Sequence, residues 1–166
     1  MKQNAKIYVL AGIITSWVIA SLFIYLGYNL NVFEGDRNQA VGFALIVAAL
    51  SLAWGIGLAA KTRHLSQNID GTAPAEGTPL DLTLRYISNT SEQLLLFSLA
   101  VISFGLVANE SLVIRLLPVL GIWFVIARAL FYIGYRYNPL ARSIGFAGTF
   151  HPTLILLFYS LYCCLT

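Results

Sequence analysis

The chain has 166 residues, 58% hydrophobic and only 10% charged, with a formal net charge of +3; soluble domains carry about 25% charged residues. That composition excludes an ordinary water-soluble domain, and with no basic arm or soluble reading surface a nucleic-acid partner is not expected either. Five apolar stretches are long enough to cross a bilayer, which takes roughly 20 residues at about 1.5 Å each.

The first stretch, 7–30, follows Lys2 and Lys6 and outruns the roughly 7 to 15 residue apolar core of a secretory signal, so it reads as a retained span. The second covers 40–60. Then comes KTRHLSQNIDGTAPAEGTPLD, 61–81, too polar for the membrane. It ends in a helix start signal: Thr78 as cap, Pro79 at the first helical position and Asp81 beyond it. The third and fourth spans, 80–108 and 112–135, are joined by a very short connection around Asn109, which predicts an antiparallel hairpin. Asn138 is placed to cap a fifth helix, with Arg142 in or near its first turn and the span itself at about 146–165. Pro152 is expected to bend it.

If the spans alternate, Lys2, Lys6, Lys61, Arg63, Arg85, Arg128, Arg136 and Arg142 lie at one side and only Arg37 and Arg115 at the other. That asymmetry places the N-terminus in the cytoplasm and the C-terminus outside. A basic rim also favours anionic membrane lipids or a small acidic ligand. Cys163 and Cys164 have no metal or disulfide spacing and read as packing residues. His151 stands alone beside Pro152; local hydrogen bonding is expected of it, and no metal. Trp17, Trp54 and Trp123 read as bilayer or packing aromatics.

Within the third span, RYISNTSEQLLLF carries Arg85, Asn89 and Glu92 on one narrow helical face. A charge at the bilayer centre costs on the order of 3 kcal/mol, so that face is expected to meet a bundle interior, a partner or a water-filled site. Arg128, Tyr132 and Tyr135 repeat the spacing on the fourth span. With alternating topology, Arg85, Arg128, Tyr135 and Arg142 converge at the cytoplasmic interface. Guanidiniums, a carboxylate, an amide and phenols suit a small polyanion that also carries an amino group. An alternative gives Glu92 a structural role, pairing with Arg85 or Arg128 to lock helices together.

The pattern of Arg85, Asn89 and Glu92 on one helix, followed by Arg128, Gly134 and Tyr135 on the next, resembles the MAPEG family, membrane-associated proteins in eicosanoid and glutathione metabolism. The resemblance covers roughly residues 41–165. It implies an all-α integral membrane bundle: a four-helix MAPEG-like domain at 40–166, preceded at 1–39 by an additional N-terminal transmembrane helix and short loop. It further implies a homotrimer that holds glutathione between subunits near the cytoplasmic face. Arg85, Asn89, Glu92, Arg128 and Tyr135 would bind the tripeptide, Arg63 is the nearest match to a further family arginine, and Arg142 would lie beside the sulfur.

A cation at a helix N-terminus favours a thiolate, and a free thiol ionises only near pH 8.5. The expected activity is therefore that of a glutathione transferase, with possible peroxidase action, in which glutathione is co-substrate and a lipophilic electrophile or hydroperoxide arrives from the bilayer. A bacterial inner membrane is the expected setting. The alternative is a non-enzymatic trimeric lipid-binding or scaffolding protein of the same fold. The chain departs from glutathione-binding relatives at Ile87, Gln93 and Phe131, with Gln93 and Tyr132 as the expected substitutes.

Overall fold

The structure, a computed structural model, describes residues 2–66, 70–137 and 142–166. These form five helices: α1 (Lys2–Leu30), α2 (Arg37–Ser66), α3 (Pro79–Val107), α4 (Glu110–Tyr137) and α5 (Arg142–Leu165). Each is long and apolar enough to span a membrane. The expected start of α3 is found: the Thr78 hydroxyl accepts from the Asp81 N–H, and the Asp81 carboxylate accepts from the Gly77 N–H at 2.9 Å. Between α3 and α4, the Asn109 side chain accepts from the Ser111 N–H at 2.9 Å and starts the new helix. The expected Asn138 cap lies outside the described residues.

Helix α4 is the axis of the bundle and touches all four others, whereas α1 packs only on α4 and α5. Between transmembrane helices there is no hydrophobic drive beyond what lipid already supplies, so association depends on close backbone approach and interhelical hydrogen bonds. The sequence of α2 supplies the first: Ala40, Ala44, Ala48, Ser51, Gly55 and Ala59 form a buried stripe of small side chains. At Gly121 of α4 an added Cβ would sit 2.7 Å from the Ala44 Cα. Gly145 of α5 lies against the α4 backbone at Ala127 and Phe131, with no room for a Cβ.

The far end of the bundle is fastened by Arg37, which donates to the Gly105 and Ala108 carbonyls at 3.1 and 3.0 Å. Those carbonyls end α3, where a cation also complements the helix dipole. In the aromatic layer at the other end, Trp54, Tyr86 and Tyr132 meet edge to face, and the Tyr86 hydroxyl donates to the Ser51 carbonyl at 2.9 Å. The tryptophans divide: Trp123 is buried and donates to the Gly148 carbonyl, while Trp17 and Trp54 remain exposed. Cys164 is exposed rather than packed, which corrects the packing role expected of it.

Gly121→Val should force α2 away from α4 and cost about 1–3 kcal/mol or more, seen as a clear drop in melting temperature in detergent. Gly42→Ala, with open space around the new methyl, should instead raise stability by about 0.5–1 kcal/mol. Equal effects would refute the close-approach account.

Candidate functional site

Arg128 is fully buried in the bundle, and both terminal nitrogens of its guanidinium are bonded within the chain, while Nε has no partner among the described residues. It donates to the Asn89 side-chain oxygen at 2.8 Å, to the Gly145 carbonyl at 2.7 Å and to the Thr149 hydroxyl at 2.6 Å. Its charged head also lies over the Phe131 ring, 4.8 Å from the centroid. One cation thus ties α3, α4 and α5 together. Thr149 extends the network by donating to Gln93 at 3.2 Å. Gln93 is therefore a buried structural partner, and its expected role as a substitute ligand contact is not what the geometry gives it.

Nearer the helix ends, the other expected groups converge on Tyr135. Arg85 reaches the Tyr135 hydroxyl at 3.4 Å, and the Arg142 guanidinium lies over the Tyr135 ring, 5.1 Å from its centroid. Helix α3 contributes the first cation from its N-terminal half, α4 the phenol from its last turn, and α5 the second cation from its first residue. The antiparallel connections dictated by the short loops bring these three ends together. Arg85 is steadied by Asp81 at 3.0 Å and by Glu76 at 3.3 Å. Glu76 is almost fully exposed, so that pair is worth little and yields readily to a competing carboxylate.

A cavity of about 350 Å³ opens at this cluster, lined by Arg85, Asn89, Phe131, Tyr135, Arg142, Ser143, Phe146 and Val9. Two guanidiniums face it, and among the described residues no carboxylate lines it. The N-terminus of α5 adds its positive dipole end at Arg142 and Ser143. The arrangement suits an anion with an apolar portion.

Two expected site residues are not brought to this cavity within the chain. Glu92 is exposed on the outer face of α3 and has neither an ion pair nor a hydrogen bond among the described residues. It pairs with neither Arg85 nor Arg128. Arg63, in the last turn of α2, is half-buried with its Nη1 buried and unbonded. Tyr132, the other expected substitute, packs on Trp54 and Tyr86 away from the cavity. Sequence reasoning missed Thr149, Ser143 and Val9. Thr149 and Gly145 were findable from their helical spacing behind Arg142, whereas Val9 belongs to α1 and only tertiary packing places it here.

The helices and their buried polar ties define an integral membrane α-helical bundle with a cationic cavity at one end. More particularly, the chain belongs to the MAPEG family, whose model matches residues 14–162, beginning within α1. Comparison with curated proteins and with solved structures gave no match.

The buried and the exposed arginine separate by stability. Arg128→Ala, which strands Asn89, Thr149 and a carbonyl, should cost about 3–5 kcal/mol, whereas Arg142→Ala at an exposed position should stay within about 0.5 kcal/mol. Thermal unfolding in detergent reads both, and a tolerated Arg128→Ala would refute the tie.

Proposed function

We propose that this protein is a homotrimeric membrane glutathione transferase, with possible peroxidase action, in which the cavity at Tyr135 holds the tripeptide. The observation that carries the reading is the meeting of Arg85, at the hydroxyl, and Arg142, over the ring, on one phenol, in a cavity that no carboxylate lines among the described residues. Arg85 would take a glutathione carboxylate, displacing the weak Glu76 pair, and Tyr135 would hydrogen-bond the peptide. Arg142, with the α5 N-terminus, would hold the sulfur as thiolate, the form that attacks an electrophile or reduces a hydroperoxide. The lipophilic partner would come from the bilayer, past the Phe131 and Phe146 side of the cavity.

Arg128 keeps the site in shape through Asn89 rather than facing the ligand, so its role in this reading is to position. Glu92 and Arg63 support an assembly. A carboxylate without a partner on a membrane-facing helix and a half-buried guanidinium with an unbonded nitrogen are both costly in one chain. A neighbouring copy can supply the missing partner to each, and Glu92 would then also lie where the glutathione ammonium is bound. In this reading α2–α5 form the family-like unit and α1 is an addition, consistent with its packing on α4 and α5 alone. The cationic end faces the cytoplasm of a bacterial inner membrane.

Calorimetric titration of the detergent-solubilised protein with glutathione should show saturable binding. Arg85→Ala should weaken it at least about tenfold, the worth of one charge-assisted pair. Arg142→Ala should bind glutathione but lose the ultraviolet absorbance of the bound thiolate. Binding that never ionises the thiol in the unaltered protein would instead favour a lipid-binding or scaffolding role. Glu92→Gln should lower the trimer fraction measured by light scattering; an unchanged trimer would remove Glu92 from the interface.

A further inference from the structure

A second cavity, of about 410 Å³, lies between α1, α4 and α5, separate from the cationic cluster. Its walls are largely apolar, including Trp17, Leu120 and Ile155; the hydroxyls of Ser16, Ser21, Tyr25 and Tyr28 and the imidazole of His151 are the polar groups among them. Counting roughly 1.5 Å per residue, His151 lies about 14 Å along α5 from Arg142 and Ser16 about 21 Å along α1 from Lys2, so both stand well inside a hydrocarbon layer about 30 Å thick. Polar groups at that depth are costly unless partnered.

Ser16 is 1% exposed, and its hydroxyl has no hydrogen-bond partner among the described residues. A helical serine commonly satisfies itself on the carbonyl one turn back, as Ser160 does on Leu156 here. Ser16 does not. His151 uses one ring nitrogen on its own helix: Nδ1 lies 3.0 Å from the Ala147 carbonyl. A carbonyl only accepts, so Nδ1 carries the hydrogen, and the uncharged ring then presents Nε2 as an acceptor. Trp17 stands edge-on to that ring, with centroids 5.2 Å apart. The Ser16 hydroxyl is closed off against Gly148 of α5, so the cavity combines an apolar body with the acceptor nitrogen of His151.

We infer that this cavity binds a lipophilic alcohol or phenol from the bilayer, its hydroxyl donating to His151 Nε2. The complementarity selects the ligand class. At His151 a ketone, ester or ether brings only acceptors and would face the imidazole lone pair, whereas a hydroxyl supplies the hydrogen that Nε2 accepts. The inference stands on the α1, α4 and α5 walls and does not depend on the glutathione reading.

The test uses the full chain in phosphatidylcholine nanodiscs, with the emission of Trp17 as reporter and a ring-brominated 4-dodecylphenol as quenching probe. Saturable quenching is expected, absent in Trp17→Phe, and the methyl ether of the same probe should bind roughly tenfold more weakly, the worth of one hydrogen bond in an apolar site. His151→Leu should abolish the preference for phenol over ether. Ile155→Trp, which fills the cavity from its exposed side, should abolish binding, while glutathione affinity stays unchanged in both variants. Equal affinity of phenol and ether in the unaltered protein would overturn the proposal without recourse to any variant. So would quenching that never saturates, as expected of simple partition into lipid or of a cavity covered by a neighbouring copy.

Discussion

A guanidinium in the middle of a membrane bundle is the constraint on which this structure turns. Arg128 cannot reach water, so the chain must supply acceptors for it, and it does so from α3 through Asn89 and from α5 through Gly145 and Thr149. Removing one partner of such a set leaves a desolvated charge, which makes the arrangement close to all-or-none. The three helices that present polar groups to the cationic cavity are the three that this residue joins. Site geometry and bundle integrity therefore share one side chain.

Close approach does the remaining work. Glycines at 121 and 145 let backbones touch where side chains would hold them apart, and the small-residue stripe of α2 extends the same solution along its length. Because α5 lies tight on α4, the Gly145 carbonyl comes within hydrogen-bonding distance of Arg128. Packing and polar satisfaction are here two descriptions of one contact.

Much of this was legible in the chain before any coordinates. Apolar runs of sufficient length marked the spans, and Thr78, Pro79 and Asp81 located the start of α3 to the residue, because capping is local chemistry. The convergence of Arg85, Tyr135 and Arg142 followed from alternation of short-looped helices. What spacing does not reveal is which partner a polar residue chooses. Asn89 and Glu92 share a face by periodicity, yet Asn89 turns to Arg128 while Glu92 points outward. Gln93 sits beside Glu92 in sequence and is buried, a difference of about 100° around the helix. Val9 was invisible for another reason: nothing in a uniformly apolar span says which of its faces will meet α5.

The fastening by Arg37 at the distal end has a bearing on how the molecule responds to its surroundings. A guanidinium held by two backbone carbonyls involves no group that titrates in the physiological range and no exposed carboxylate. The opposite end relies in part on Arg85 with Glu76, an exposed pair that ionic strength weakens and acid removes. Changes of salt or acidity thus act on the ties at the Arg85 mouth while the Arg37 fastening does not answer to them, so that loosening begins where small molecules enter.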